Sequence, residues 1–385
     1  MSKQNVWGMI SMSFNKIKPY VAMISLQFGY AGMFIITLVS LKRGFSHWVL
    51  AVYRHAIATL VFAPFAYFLD KTTRPKMTKS IFLKIMVLAF LEPVLDQNLY
   101  YVGVQYASAT FAAAATNVLP AVTFIMAVIF KMERVNLKRI SSLAKVIGTL
   151  ITVCGAMVMT LYTGPIIDIF WYSHGSNHHK AGSASANQHW ATGTIMLLSC
   201  IVGWSGFFIL QNNTMKDYPA GLSLTTLICL MGTLEGGVVA VIMERQKRAW
   251  VVGFDSRLLA AAYSGIVCSG IAYYLQGVVN KVRGPVFVTA FSPLTMIITA
   301  VLGAIVLSEQ IHLGSLIGAV IIIVGLYSVV WGKSKENSES ESKESLTCED
   351  EKAHELPVVA HKKTPNYFHD KNSSQLEHHE KACTV

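Results

Sequence analysis

Ten times along this chain an apolar run becomes long enough to cross a lipid bilayer. The runs lie at approximately 20–41, 47–69, 81–103, 108–130, 140–162, 190–211, 223–243, 256–279, 285–307 and 313–332. About 30 Å of hydrocarbon takes roughly 20 mostly apolar residues in a helix, which satisfies its backbone N–H and C=O groups within the segment. Composition agrees: 53% of residues are hydrophobic and 14% charged, with mean hydropathy +0.47. A soluble chain carries about a quarter charged residues. A soluble globule is excluded, and so is a chain disordered over most of its length. The expected fold class is an all-α polytopic membrane protein with ten transmembrane helices.

The net charge of +11 divides unevenly. Residues 1–332 hold 24 Lys and Arg against 10 Asp and Glu, and residues 333–385 hold 8 against 11, giving +14 and −3. The basic residues crowd into short gaps between apolar runs. That is the signature of membrane orientation rather than of a nucleic-acid surface. With the N-terminus inside, sixteen Lys and Arg near the helix ends face the cytoplasm and seven face away, so both termini are expected to be cytoplasmic. Residues 1–19 then form a cytoplasmic N-terminus. Residues 163–189, rich in Gly, Ser, His and Asn, read as a flexible extracytoplasmic linker, and 333–385 as a disordered cytoplasmic tail.

The linker separates two five-run halves, 20–162 and 190–332, and the halves repeat. Tyr100-Tyr101 returns as Tyr273-Tyr274 and Pro120 as Pro293, at an offset of 173. Gly32 and Phe34 return as Gly206 and Phe208, and Gly148 and Gly155 as Gly318 and Gly325. An odd number of helices per copy inserts the second copy upside down. Inverted repeats are the architecture of alternating-access transporters.

Several stretches carry a family resemblance: Gln27-Phe-Gly-Tyr-Ala-Gly-Met33, Tyr53-Arg54-His55, Arg74-Pro-Lys-Met-Thr78, Leu95-Asp-Gln-Asn-Leu-Tyr-Tyr101, Asn117-Val-Leu-Pro120, Gly284-Pro-Val-Phe287, Phe291-Ser-Pro293 and Gly314-Ser-Leu-Ile-Gly318. Over about residues 17–335 the chain resembles the drug/metabolite transporter superfamily, with two EamA-type repeats. More closely it resembles the plant nodulin-like, Walls-Are-Thin-related (UMAMIT) branch. That resemblance implies ten helices around a central cavity and transport of amino acids by bidirectional facilitated diffusion. It implies the plasma membrane, with the vacuolar membrane as alternative. An auxin-like indole or another small metabolite is the alternative substrate, and proton coupling the alternative energetics.

Charge inside hydrocarbon is expensive, so an intramembrane ionisable residue is a functional candidate. Glu92 and Asp96, spaced i,i+4, are expected on one face of the third helix, with Arg54 at similar depth as an ion-pair partner. Glu235 lies in a GxxxG spacing, Gly232 to Gly236, that suits helix packing. Neutral candidates for substrate contact are Gln27 and Tyr30, Gln97 and Tyr101, Asn117, Trp204, and Tyr273 with Gln276. Each has an alternative role as an interhelical hydrogen bond. Pro120 and Pro293 correspond across the halves and read as hinge points or fixed kinks.

No catalytic, metal or cofactor site is expected. Gly203-Trp-Ser-Gly206 matches the G-x-S-G of intramembrane serine proteases, but no histidine lies inside the last four apolar runs to serve as base. The histidines lack zinc-ligand spacing. A channel would need a continuous polar stripe on several helices, and only the first and third runs approach one.

Overall fold

The computed structural model describes residues 3–107, 109–133, 135–136, 138–162, 164–165, 190–253, 255–307 and 312–354. The 163–189 linker, apart from 164–165, and residues 355–385 of the tail lie outside the described residues. Among those described, the chain is helical, with no strand. Helices α1 (Lys3–Lys42) and α2 (His47–Leu69) are followed by α3 (Lys79–Ala89), a π-helical stretch (Phe90–Asp96) and α4 (Gln97–Tyr106). Then come α5 (Ala109–Thr116), α6 (Leu119–Ile129) and α7 (Ile140–Leu161). The second half holds α8 (Trp190–Asp217), α9 (Gly221–Met243), α10 (Ser256–Tyr263), a second π-helical stretch (Ser264–Ile271) and α11 (Ala272–Arg283). It ends with α12 (Pro285–Ala290), α13 (Ser292–Leu307) and α14 (Leu313–His354).

Eight helical stretches are long and apolar enough to cross a membrane. The expected runs 81–103 and 108–130 are helical but not among the eight. The first carries Lys84, Glu92 and Asp96 with Gln97 and Asn98, and the second is interrupted at 117–118.

The interruptions recur in both halves. Shifting Phe90–Asp96 by 173 gives 263–269, and the second π stretch is Ser264–Ile271. In the first, Pro93 lacks an N–H and its ring crowds the carbonyl four residues back, so the ladder re-registers to i→i+5. The second has no proline but contains Gly265 and Gly270, poor helix formers. The fourth segment of each half is also cut, between α5 and α6 and at Phe291 between α12 and α13. Pro120 and Pro293 therefore lie second in a new helix rather than deep inside one. There the missing N–H has no intrahelical acceptor to lose.

Packing joins half to half. A Cβ on Gly148 would stand 2.8 Å from the carbonyl of Gly325, and one on Gly318 would stand 2.7 Å from the carbonyl of Gly155. As numbers rise along α7 they fall along α14, so these helices are antiparallel in close backbone contact. Gly148 and Gly155 correspond to Gly318 and Gly325 by repeat, so each contact is the exchange of the other, as across a two-fold axis. Other contacts pair likewise: α2 lies on the second π stretch and α9 on the first, while α4 meets α8 as α11 meets α1. The outward faces carry exposed apolar side chains such as Leu60, Phe68, Val241 and Ile305, which suits hydrocarbon and not water.

At one end of the α7–α14 pair, four charges are held together. Lys145, fully buried, contacts Glu133 and lies 2.8 Å from Glu336, and Lys333 lies 2.8 Å from Glu133. Past residue 333, where the tail was expected to begin, α14 continues to His354. No Gly or Pro interrupts 333–354, and Glu336 ties the first turn of that extension to Lys145.

Because the α7–α14 seam has no room for a side chain, Gly325→Val should be destabilising. A Cβ there would meet Thr152 Oγ1 at 2.3 Å, and overpacking of this kind costs about 1–3 kcal/mol. A melting curve of the detergent-purified protein should shift down by several degrees, and an unchanged curve would contradict the packing described.

Candidate functional site

The first π stretch delivers Glu92 to the middle of the bundle. Its carboxylate accepts from Gln97 Nε2 at 3.2 Å and from the Tyr273 hydroxyl of α11. The same hydroxyl lies 3.3 Å from His55 Nε2. His55 Nδ1 is 2.8 Å from the Ala51 carbonyl, which holds the ring proton on Nδ1 and leaves Nε2 facing Tyr273. A single hydroxyl proton from the second half thus has two acceptors from the first, the Glu92 carboxylate and the His55 imidazole. All four side chains are buried, where an unpartnered polar group is costly.

Arg54 lies near enough to Glu92 and Asp96 to act on both through space, but it makes no direct contact with either. Among the described residues no carboxylate forms an ion pair with Arg54. Its Nε donates to Ser269 Oγ at 2.6 Å and its Nη2 to the Cys268 carbonyl at 3.4 Å. Asp96 accepts instead from Cys200 Sγ of α8, at 2.8 Å. The cause is the backbone. Expecting Glu92 and Asp96 to act together assumed α-helical geometry, whereas in a π turn the neighbour one turn on is i+5, and Gln97 is five residues after Glu92. Meanwhile α2 packs on the second π stretch, so Arg54 faces Ser269, the repeat counterpart of Asp96.

The remaining expected residues fall into separate pairs. Gln27 is buried and its Oε1 accepts from Thr295 Oγ1 at 2.5 Å. Gln276 Nε2 donates to Tyr30 Oη at 3.0 Å. Asn117 reaches α7, donating to Thr160 Oγ1 at 3.3 Å, away from the Glu92 chain. Trp204 stacks on Phe208 with centroids 6.1 Å apart and packs against the main core. Phe34, on the same expected stripe as Gln27 and Tyr30, faces outward instead, 47% exposed. The buried Glu235 Oε2 has no hydrogen-bond partner, and Gly232 abuts Pro93, where a Cβ would lie 2.7 Å from the ring. Gly203 likewise serves packing, with Leu95 against it, and Ser205 Oγ accepts from Thr123.

A narrow cleft of only about 10 Å³ opens beside this chain, lined by Arg54, Gln97, Tyr101, Thr37 and Ser264 with Met33, Leu50 and Ala51. It begins about one to two helical turns beneath the α1–α2 turn, at 1.5 Å rise per residue. Tyr101 packs on His47 at the first turn of α2, centroids 5.1 Å apart. The far end of α2 is closed by polar contacts. Asp70 accepts from Ser223 N at 2.7 Å, Arg74 donates to Ser223 Oγ at 3.0 Å, and Lys84 pairs with Asp217 at 2.5 Å. Deeper on that side, Asn212 donates to the Asn280 carbonyl at 2.5 Å and Asn280 to the Phe208 carbonyl at 2.7 Å.

Sequence reading missed the tie between the Glu92 carboxylate and His55, Cys200 as partner of Asp96, and Ser269 as the seat of Arg54. Only Ser269 had a legible pointer, the 173-residue offset from Asp96. The others depend on how α8 and α11 rotate against the first half.

The Glu92–Tyr273 contact is open to a double-mutant cycle. Tyr273→Phe and Glu92→Gln should each lower stability by about 1–3 kcal/mol. The double variant should lose less than the sum, because the two changes remove one interaction. Strict additivity in denaturation of the purified protein would contradict the link.

Comparison with known proteins follows these halves. The EamA-like transporter family matches residues 17–161 and 191–331, one match per half. Three WAT1-related proteins of Arabidopsis thaliana are 60%, 56% and 59% identical to this chain, over 89%, 90% and 84% of it and 89%, 93% and 87% of their own lengths. A solved crystal structure superposes with TM-score 0.59 at 15% identity, over 80% of this chain and 96% of its own, a likeness of fold. With both halves matched and the outward faces apolar, this multi-pass membrane protein is a transporter of a small-molecule substrate rather than an enzyme, and it belongs to the EamA-like transporter family.

Proposed function

We propose that the protein moves amino acids across its membrane by alternating access, with net flux following the gradient in either direction. In this reading ten helices cross the bilayer as two inverted five-helix halves, both termini face the cytoplasm, and the plasma membrane is the site of action. The observation that carries it is the buried polar chain itself, in which Glu92 and Gln97 from one half meet Tyr273 from the other. A zwitterion leaving water needs partners for a carboxylate and an ammonium, and this region offers acceptors, donors and aromatic faces together. The reciprocal glycine contacts of α7 and α14 support the inverted arrangement, because exchange by a two-fold across antiparallel helices turns one half over. The polar contacts at the α8–α9 end of the bundle, opposite the cleft, support a conformation closed to the cytoplasm. Gln27, Tyr30, Gln276 and Trp204 serve in this account as the walls between the halves. Pro120 and Pro293, each at the start of a broken helix, serve as hinges.

A second reading, proton-coupled transport, draws support from Glu92 and Asp96, carboxyl groups buried at membrane depth. An indole-type carboxylate is the alternative substrate. Proteoliposomes loaded or diluted with labelled amino acids should show uptake and efflux at similar rates, unchanged by an imposed pH gradient. Accumulation against the gradient only when the pH differs would favour coupling. No flux of any amino acid beside measurable flux of indole-3-acetate would overturn the substrate class.

A further inference from the structure

The geometry points to Arg54 as the carboxylate receptor of the cleft, with Gln97 and Tyr101 of the same lining as acceptors for an ammonium. This rests on the amino-acid reading above and deepens it. Arg54 is only 8% exposed, and although Glu92 and Asp96 act on it through space, no carboxylate among the described residues makes direct contact with its guanidinium. The Glu92 oxygens already accept from Gln97 and Tyr273. A guanidinium has five N–H donors in a rigid fork. Its side edge, Nε with Nη2, is anchored to Ser269 Oγ and the Cys268 carbonyl. The end edge, Nη1 with the second Nη2 proton, has no partner among the described residues, and Arg54 lines the cleft. That edge is the one that takes a carboxylate by two parallel bonds.

The anchoring makes Arg54 a fixed receptor rather than a mobile charge. Held by two neutral acceptors, the guanidinium keeps the N–H donors of its end edge for a ligand. In the same lining, Gln97 gives its amide nitrogen to Glu92, and neither its Oε1 nor the Tyr101 hydroxyl has a hydrogen-bond partner among the described residues. Gln97 and Tyr101, one turn apart on α4, therefore offer oxygen acceptors where the guanidinium offers donors. A solute carrying a carboxylate and an ammonium on neighbouring atoms matches that polarity. The repeat counterpart of Arg54 at the 173 offset is Leu227, so the site belongs to one half and has a single orientation.

The test is competition in proteoliposomes containing the full-length protein. Uptake of a labelled mixture of amino acids, or of labelled indole-3-acetate where amino acids are not carried, is challenged with unlabelled leucine, leucinamide or sodium sulfate. In the wild type leucine should compete about tenfold or more better than leucinamide, the loss expected for a charge-assisted bond, and sulfate should compete weakly. Arg54→Gln should abolish that preference, and Arg54→Lys, which keeps charge without the fork, should restore part of it. Ser269→Ala keeps Arg54 but removes the Oγ that seats its Nε, and should raise the leucine concentration for half-inhibition several-fold. This variant also carries the test if Arg54→Gln does not reach the membrane. An unaltered preference for leucine over leucinamide in Arg54→Gln, or in Ser269→Ala where that variant carries the test, overturns the assignment. So does sulfate competing as well as leucine. If only indole-3-acetate is transported and Arg54→Gln abolishes it, the amino-acid reading fails while Arg54 stands as the carboxylate receptor.

Discussion

A charged or strongly polar group placed where water cannot follow must be satisfied by other parts of the same molecule. Glu92 and Arg54 obey that constraint in opposite ways. Glu92 is satisfied by two neutral donors, one five residues on along its own chain and one from the other half of the bundle. Arg54 is anchored on one edge only, and that by a hydroxyl and a backbone carbonyl. The centre of the protein therefore holds a closed acceptor and an open donor side by side. The cleft, the helix breaks and the interlocked halves are the means by which the fold brings them there.

The scaffold repeats, but its chemistry does not. Both halves have a π-helical stretch at matching positions, a fourth segment broken just ahead of a proline, and a glycine-faced last helix. Yet at the 173 offset Glu92 becomes Gly265, Asp96 becomes Ser269 and Gln97 becomes Gly270. Long polar side chains occupy the first copy, and small ones occupy the second where α2 must press close. A Cβ on Gly265 would lie 2.5 Å from the Arg54 carbonyl, so the second copy gives up polarity for contact.

Much of the frame was legible in advance because lipid imposes length and polarity on each helix. The run 47–69 matches α2 residue for residue, and 140–162 overruns α7 by one residue. Helix ends in water were less legible: α14 extends to His354 because nothing in its Glu- and Lys-rich continuation stops a helix. The site was legible as a residue set and illegible as a set of partners. Gln27, Gln97, Asn117 and Tyr273 are buried polar groups as their intramembrane position implied. Their pairings, however, follow from i+5 geometry and from helix rotation, neither of which leaves a period in one strand of sequence. The four-charge cluster around Lys145 was invisible for the same reason, since Glu133, Lys145 and Glu336 meet only when α14 lies antiparallel on α7.

The central claim is that the two halves move about this polar centre to expose it alternately. Spin labels at residues 71 and 216 report on the end closed by Arg74 and Ser223, and labels at residues 44 and 253 report on the cleft end. Electron–electron distance measurements in lipid, with and without a saturating mixture of amino acids, test the claim directly. The account predicts two distance populations at each end with opposite responses, one pair lengthening as the other shortens. Distances that stay fixed, or that lengthen together at both ends, would contradict it.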